Sequence, residues 1–292
     1  MSNPRFSASR FSAFNGCRQK YKLTYKDELV VIGKAADVTE KGLAFHSIAE
    51  EMSTNMTEED LLQVASNIIN EREFDKEKYP VIKSVPRLVY WWNYFVKPLE
   101  ESGYEVRKEV WYNDVLAGAP VTGAVDCLII NEKEKKAEII DYKTANTPNA
   151  SSYKNQLMFY AYLVGKQMGL TMEETAENIG TSVFFPLAGL DKDVNETTMK
   201  DNTLKNMKRV LFTVDQMKEV VESFENIIKE DSQIDWDSIT PSEGCQISYI
   251  CNFCSFAGHP DYCPVTYKNG IYFPRSSKVM TKEESKKLNK KV

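Results

Sequence analysis

Short apolar runs with the length of β-strands recur along the middle of the chain. They are rich in Val, Ile and aromatic residues, and polar or glycine-containing segments separate them. This pattern predicts a central sheet with strands at residues 104–112, 121–130, 137–143, 181–187 and 208–213.

Other segments place apolar residues three or four positions apart, which is the spacing of an amphipathic helix. The spacing predicts an N-terminal helix, a helix that begins at Lys41, a helical region over residues 57–101, and helices over residues 153–169 and 215–230. Aromatic side chains of the helical region are expected to pack in the core: Trp91, Trp92, Tyr94 and Phe95.

The composition provides enough apolar material for a hydrophobic core. Of the 292 residues, 42% are hydrophobic and 11% aromatic, which suffices for one large core or two modest ones. No apolar stretch reaches the length of a membrane span, and the N-terminus lacks the apolar centre of a signal peptide. We therefore expect a soluble, cytoplasmic protein.

Charge is distributed unevenly along the chain. The net charge of -5 argues against indiscriminate coating of nucleic acid, but the first 26 residues contain no acidic residue. Cations and aromatic rings are interleaved there, as in proteins that bind single-stranded DNA, although an ordinary solvated face is the alternative. These residues are Arg5, Phe6, Arg10, Phe11, Phe14, Arg18, Lys20, Tyr21, Lys22, Tyr25 and Lys26.

Two carboxylates lie close to the ends of neighbouring predicted strands. Asp141 precedes Lys143 by two residues, so both side chains project from one face of their strand. If the strands pair, Asp126 lies beside Asp141, and a cation between them would relieve their repulsion. Oxygen ligands favour Mg²⁺ or Mn²⁺, with Lys143 near the bound water or phosphate. The alternative is a surface hairpin with an ordinary exposed ion pair.

Other polar side chains suit the same site. His46 lies near the start of a predicted helix and could bind the metal directly or through water, although a lone helical histidine is often structural. Gln156 and Tyr160 lie four residues apart on one helical face and suit contacts to a DNA backbone or to metal-bound water. The alternative for this pair is helix surface plus core aromatic. Glu109, in the first strand, is a further acidic neighbour.

The cysteines are spaced for metal binding rather than for disulfides. Cys251 and Cys254 are separated by two residues, and Cys263 follows, so their thiolates could chelate zinc or anchor an iron–sulfur cluster. A fourth ligand is needed. The candidates are Cys17, Cys245 and His259.

In their order along the chain, these motifs resemble the RecB-like branch of the PD-(D/E)XK nuclease superfamily. The likeness is to its iron–sulfur members, the CRISPR-associated RecB-like exonucleases and the AddB-type nuclease domains, and runs from about residue 6 to residue 264. It implies an α/β fold with a restriction-endonuclease-like core, in which helices flank a central mixed β-sheet. A helical insertion and a cysteine metal-cluster segment are implied as well.

The resemblance also implies roles for the candidate site residues. The metal ligands would be His46, Asp126 and Asp141, with the backbone carbonyl of residue 142. Lys143 corresponds to the lysine of the acid-x-Lys motif, where it would orient or deprotonate the attacking water. Gln156 and Tyr160 correspond to the Gln-x-x-x-Tyr helix of the family.

A 4Fe-4S cluster is the second cofactor that the resemblance implies. Its ligands would be Cys17, Cys251, Cys254 and Cys263, leaving Cys245 as a spare thiol. The eight residues between Cys254 and Cys263 form a longer loop than is usual in the family and include His259, so zinc or a mixed ligand set remains an alternative. The cluster would act as a structural staple between distant parts of the chain.

The implied organisation is a single nuclease domain over residues 1–270. Its helical insertion would cover about residues 53–102, and its cluster segment, residues 245–264, would be tied to Cys17. A basic C-terminal tail covers residues 271–292, and its Lys-rich end, residues 281–292, is expected to be flexible.

The implied activity is that of a metal-dependent deoxyribonuclease, an exonuclease on single-stranded DNA or DNA ends in repair, recombination or CRISPR-like processing. The sequence has no phosphate-binding loop and no helicase motif, so a helicase or a recombination or CRISPR-adaptation complex would be a separate partner. One alternative is a DNA-binding subunit that keeps the fold but lacks turnover or depends on a partner. Another is a zinc-stabilised interaction module.

Overall fold

The computed structural model describes residues 5–32, 37–71, 80–245, 251, 254–257, 259, 261–263, 267–268, 271–272 and 278–289. The chain divides into two compact units. The terminal unit contains Met1–Asp37, Val115–Val121 and Ser223–Val292, and the sheet unit contains Val38–Asp114 and Thr122–Glu222. The predicted domain boundary at residue 270 lies outside the described residues.

Helices account for most of the regular structure. They are α1 (Ala8–Gly16), α2 (Arg18–Tyr21), α3 (Asp37–Glu51), α4 (Glu58–Glu71), α5 (Val85–Trp91), α6 (Lys97–Glu101), α7 (Lys154–Gln167), α8 (Met172–Asn178), α9 (Glu196–Asn206), α10 (Val214–Gln233), α11 (Pro241–Gly244) and α12 (Lys282–Asn289). In the described part of the chain, no helix combines the length and the apolarity that a membrane span needs.

The strands form one central sheet and two short two-stranded ladders. They are β1 (Leu29–Ile32), β2 (Glu105–Leu116), β3 (Ala119–Asn131), β4 (Lys136–Tyr142), β5 (Ile179–Phe184), β6 (Met207–Arg209), β7 (Tyr267–Lys268), β8 (Ile271–Tyr272) and β9 (Lys278–Thr281).

The central sheet confirms the predicted α/β fold. Its strand order is β2-β3-β4-β5-β6, with β4 antiparallel to β3 and parallel to β5, and with β6 antiparallel to β5. Helices α7 and α8 make the crossover that parallel strands require. The strands lie close to their predicted places, although β6 ends at Arg209 rather than at residue 213, and α3 begins at Asp37, before Lys41.

A cluster of aromatic rings packs against one face of this sheet. The ring of Tyr142 on β4 makes edge contacts with Phe45 on α3 and Trp91 on α5, at centroid distances of 5.6 and 5.8 Å. Trp91 also stacks on Phe184 of β5 at 5.1 Å. The expectation of a buried position was wrong for Tyr94, whose residue is 58% exposed because it lies on the outer side of this helical segment.

The basic and aromatic N-terminus forms part of the core of the terminal unit. Arg10 is 2% exposed, donates a hydrogen bond to the hydroxyl of Tyr21 at 2.9 Å and lies 3.5 Å from the carboxylate of Asp231 on α10. Phe11 stacks on Phe224 of the same helix at 3.9 Å. These cations and rings are therefore occupied in packing and ion pairs, which corrects the interpretation of the segment as a DNA-stacking surface.

The C-terminal tail is partly ordered, contrary to expectation. Strand β9 pairs with β1, with Met280 opposite Val30. Helix α12 follows it and begins with a capping box, because Glu284 accepts hydrogen bonds from the N–H and hydroxyl of Thr281 while the hydroxyl accepts from the N–H of Glu284. The Thr-x-x-Glu signature was present in the sequence and predicts this helix start.

Candidate active site

Asp141 and Lys143 form an ion pair at the carboxyl end of β4. The lysine Nζ lies 2.6 Å from Oδ2 of Asp141, whose residue is 2% exposed. Both side chains leave one face of the strand, as period two requires, and Tyr142 between them enters the aromatic core on the other face. The backbone N–H of Lys143 donates to the carbonyl of Phe184 at 2.9 Å, so β5 also fixes this position.

Asp126 on β3 lies next to this ion pair. Its Oδ2 accepts a hydrogen bond from the backbone N–H of Tyr142 at 2.7 Å, which holds the carboxylate at the end of the β3–β4 ladder. Burial, together with the nearby carboxylate of Asp141, raises the pKa of Asp126 to about 7. The surroundings of Asp126 therefore favour an added positive charge.

His46 and Glu109 complete a compact group of ligand atoms around Asp126. Nδ1 of His46 lies 3.5 Å from Oδ1 of Asp126 and 3.6 Å from Oε1 of Glu109. One ligand atom from each residue lies within 4.8 Å of the others, and among the described residues no other group of His, Cys, Asp and Glu is this close. Burial alone would lower the pKa of His46, but Glu109 and Asp126 raise it above its usual value.

Glu109 has a left-handed backbone conformation, which is unusual within a strand. Its φ is 49°, and the inward and outward alternation of β2 is lost around it and becomes regular only from Trp111 onward. An irregularity of this kind re-aims a side chain, as a β-bulge does near many active sites. The sequence identified Glu109 only as an acidic neighbour, because a local break in alternation gives no pattern that predicts its direction.

Lys108, the preceding residue, ties β2 to the helix that carries His46. Its Nζ donates hydrogen bonds to the backbone carbonyls of Glu50 and Met52, at 2.7 Å in the case of Met52. These carbonyls belong to the C-terminal end of α3, where a cation is favourable. The contact sets the distance between the two elements that present His46 and Glu109.

Helix α7 brings Gln156 and Tyr160 to the carboxylate of β4. The side-chain amide of Gln156 donates to Oδ1 of Asp141 at 3.1 Å and to the hydroxyl of Tyr160 at 2.8 Å. Tyr160 is itself nearly buried, and burial followed by the charge of Asp141 raises the pKa of its hydroxyl. The hydrogen bond of Gln156 to Asp141 therefore places Gln156 and Tyr160 at the candidate active site.

Gly123 explains how α7 can lie this close to β3. A Cβ atom at this position would come within 2.9 Å of Leu163 and 3.0 Å of Tyr160, both on the helix. Only glycine leaves room for such an approach without displacing these side chains. Gly123, the first residue of the Gly-x-Val-Asp pattern that ends at Asp126, thus has a packing role.

The sequence matches the model of the PD-(D/E)XK nuclease superfamily over residues 5–263, which is most of the chain. The chain belongs to this superfamily. No curated protein matched the sequence. The family identifies the protein as a nuclease, and the fold agrees with it.

Two solved structures are similar to this nuclease. One, from Eubacterium rectale, is provisionally described as an exonuclease; it shares 13% identity at a TM-score of 0.48, over 85% of this chain and 87% of its own. The other, a protein from Vibrio cholerae, shares 13% identity at a TM-score of 0.27, over 77% of this chain and 58% of its own.

Nucleases of this superfamily use divalent metal ions, and the acidic group of this chain fits one. His46, Glu109 and Asp126 offer two carboxylates and an imidazole within 4.8 Å of one another. A third carboxylate, Asp141, is near enough to raise the pKa of Asp126. Hard oxygen donors crowded in this way suit Mg²⁺ or Mn²⁺, because the ion offsets their mutual repulsion.

The cysteines come together in the terminal unit. Cys17, Cys245, Cys251, Cys254 and Cys263 all line one small cavity. The side-chain amide of Gln19 on α2 donates to the carbonyl of Tyr262 at 2.7 Å, which holds the N-terminal helices beside the last cysteine. The structure thus brings Cys17 to the three C-terminal cysteines, as the resemblance implied, and adds Cys245.

The sulfur atoms of this cavity do not form a group as compact as the ligand atoms around Asp126. Among the described residues, no three cysteine sulfurs lie within 4.8 Å of one another. Four sulfurs around one zinc ion would be about 3.8 Å apart, given a Zn–S distance of about 2.3 Å in a tetrahedron. Sulfurs on an iron–sulfur cluster stand farther apart because each binds a different iron. His259 is not among the described residues that line the cavity.

Proposed function

We propose that this nuclease is a divalent-metal-dependent deoxyribonuclease of the RecB-like branch, an exonuclease that acts on single-stranded DNA or DNA ends. The observation that carries the proposal is the group formed by His46, Glu109 and Asp126 beside the ion pair of Asp141 and Lys143. A hard-ion site adjoining a partly buried lysine suits phosphodiester hydrolysis, because the metal and the cation can both offset charge on the phosphate.

The proposed metal ligands are His46, Glu109 and Asp126, with Asp141 as a further oxygen donor. When bound, Mg²⁺ or Mn²⁺ supplies Lewis acidity at the scissile phosphate and a more acidic water. The hydrogen bond from Tyr142 N–H keeps one oxygen of Asp126 occupied and directs the other towards His46. The protein thereby fixes the direction of these donor atoms before substrate arrives.

Lys143 is proposed to orient the attacking water and to offset charge on the phosphate. Burial alone would lower its pKa, but the carboxylates of Asp141 and Asp126 raise it above the usual value. In the metal-free site these carboxylates therefore favour the protonated form of Lys143, which is paired with Asp141 at 2.6 Å. Gln156 holds the other oxygen of Asp141, so that the ion pair keeps one geometry.

We also propose that Cys17, Cys251, Cys254 and Cys263 hold a 4Fe-4S cluster in the terminal unit. The shared cavity supports the proposal, because it brings Cys17 together with the three C-terminal cysteines of the implied ligand set. Its function would be structural, because it would join residue 17 to residues 251–263. Anaerobically purified protein should be brown and absorb near about 400 nm, whereas a zinc protein would be colourless.

The experiment that tests the nuclease is cleavage of end-labelled single-stranded and duplex DNA with Mg²⁺, Mn²⁺ or EDTA. We expect cleavage only with the metals, progressing from an end, and a loss of at least about 1,000-fold in Asp126→Ala and Lys143→Ala. Asp237→Ala and Lys218→Ala remove exposed residues of the same types and should cleave like wild type.

Other outcomes are equally informative. Products cut internally from the start would replace the exonuclease by an endonuclease. If wild type and variants were equally inactive but bound DNA alike, the protein would be a binding subunit without turnover or one that depends on a partner. A helicase or recombination partner would then be sought by adding it to the same reaction.

A further inference from the structure

A second concave surface opens beside the candidate active site, at the carboxyl ends of β4 and β5. We call it the lysine cleft. It measures about 610 Å³, which is within the range of roughly 300–1,000 Å³ typical of ligand sites. Its lining includes Lys41, Asn146, Asp191, Lys192 and Lys205. All of these residues belong to the sheet unit.

One buried arginine fixes a wall of this cleft. Arg87 of α5 is 0% exposed, and its guanidinium donates to the backbone carbonyls of Pro186, Ala188 and Gly189 at 2.7 to 3.0 Å. It also makes a bidentate ion pair with Asp193, in which Nε donates to Oδ2 at 2.5 Å and Nη2 donates to Oδ1 at 2.7 Å. The segment from Pro186 to Asp193 is therefore held in one conformation, although it contains little regular structure.

The cleft collects positive charge that the protein does not neutralise. In the part of the chain that the structure describes, no ion pair engages Lys41, Lys192 or Lys205, and Asp191 is the one carboxylate in the lining. Some other lysines of the sheet unit have acidic partners, as Lys200 has Glu196 and Lys218 has Glu173. In a chain of net charge -5, uncompensated lysines in a concave surface indicate an anionic ligand.

The cleft adjoins the candidate metal site on two sides. Lys41 precedes His46 by five residues on α3, which corresponds to about 7.5 Å along a helix axis. Asn146 lies three residues after Lys143, and its side-chain oxygen accepts a hydrogen bond from Lys41 at 3.2 Å. The lining of the cleft thus includes one residue from the helix that carries His46 and one from the segment that follows Lys143.

The lining favours a sugar–phosphate backbone over bases. It offers ammonium and amide donors but, among the described residues, no aromatic ring on which a base could stack. We propose that the lysine cleft binds backbone phosphates of the DNA strand that occupies the active site, a few nucleotides from the scissile bond. This inference rests on the proposed deoxyribonuclease function and assigns a path for its substrate.

The test compares two double variants in an Asp126→Asn background, so that DNA is bound without being cut. Lys192→Ala with Lys205→Ala removes two charges from the cleft, and Lys200→Ala with Lys218→Ala removes two charges that are paired with glutamates. Binding of labelled single strands of 6 to 30 nucleotides is followed by fluorescence anisotropy at several salt concentrations. The arginine versions of the cleft variants serve as a rescue.

For long strands we expect the cleft variant to bind at least about 10-fold more weakly than its parent. A plot of the logarithm of the association constant against the logarithm of the salt concentration should be shallower by about 1.4, which is about 0.7 for each of the two lost phosphate contacts. The effect should shrink as the strand is shortened, and arginine should restore binding. The paired-lysine variant should match its parent.

Equal binding and equal salt slopes for the two double variants would overturn the inference, while cleavage by the wild-type protein would leave the nuclease proposal standing. If the wild-type protein neither cleaved nor bound DNA, both proposals would fail together. If inorganic phosphate competed for the cleft but strand length had no effect, the cleft would be a small-anion site and the strand path would be wrong.

Discussion

The two candidate cofactor sites of this nuclease are held in different ways. In the sheet unit, each ligand lies on a helix or strand, and Asp126 and Asp141 have hydrogen-bond donors from the protein itself. In the terminal unit, three of the cysteines lie in a segment for which the structure describes only turns. The first arrangement is set by the fold, whereas the second depends on what the sulfurs bind.

The two sites are therefore expected to contribute differently to folding stability and to turnover. Crowded carboxylates oppose folding until a cation is bound, so the sheet unit keeps its site at some cost to stability. Thiolates on a cluster would act as a cross-link and add stability that grows slowly with the length of the loop that they close. Loss of the first cofactor should therefore stop turnover with the fold intact, and loss of the second should unfold the terminal unit.

The largest effect should come from Cys251→Ser. We expect loss of bound iron and a fall in unfolding free energy of about 3–5 kcal/mol, the range for a cross-link over a long loop, which lowers Tm by about 10 °C. The measurement combines iron content, thermal unfolding and limited proteolysis, with new cleavage sites expected in the terminal unit. Cys245→Ser is the matched control, because Cys245 shares the cavity but lies outside the implied ligand set.

If both serine variants kept their iron, the assigned ligand set would be wrong. If only Cys245→Ser lost it, Cys245 would take the place of a cysteine in the proposed set. A colourless protein containing one zinc would replace the cluster altogether.

An intermediate effect is expected from Glu109→Gln in the sheet unit. The amide keeps the shape of the side chain but removes a negative oxygen from the metal group, so the Mg²⁺ concentration for half-maximal cleavage should rise about 10- to 100-fold. Tm of the metal-free protein should fall by at most a few degrees, because the substitution also removes the partly exposed ion pair of Glu109 with His46. Glu105→Gln on the same strand removes an exposed glutamate and is expected to leave the metal requirement unchanged.

A smaller effect should come from two glycines of the sheet unit. Gly123→Ala places a Cβ 2.9 Å from Leu163, and the overpacking should lower unfolding free energy by about 1–2 kcal/mol. In Gly42→Ala the nearest atom, the hydroxyl of Thr144, is 3.7 Å away, so this helical position should gain up to about 1 kcal/mol. Chemical denaturation measures both, and the same sign for both would contradict the packing assigned to Gly123.

Much of the sheet could be predicted because its signals are local. Apolar runs rich in Val and Ile located β3 and β4. Their pairing placed Asp126 near Asp141, as the neighbouring register of Cys127 with Ile140 shows. The position of Lys143 on the same strand face as Asp141 followed from the alternation of side chains between the two faces of a strand. Whether these residues act in catalysis stays a prediction that the cleavage experiment addresses.

Other features depend on contacts between distant parts of the chain, and these were not predictable. The direction of Glu109 follows from a left-handed residue inside β2. The burial of Arg10 depends on Asp231, 221 positions away. The lysine cleft exists because Arg87 holds a segment about 100 positions further along. No window of sequence contains both partners of such contacts.

The assembly of the terminal unit from both ends of the chain sets an order of events during synthesis. Its first segment ends at Asp37 and its last begins at Ser223, so at about 5–20 residues per second the ribosome makes the intervening residues in about 10–40 s. During that interval Arg10, Phe11 and Cys17 have left the ribosome without the residues that will bury them. The sheet unit can fold first, and the N-terminal helices must remain soluble until the last cysteine emerges.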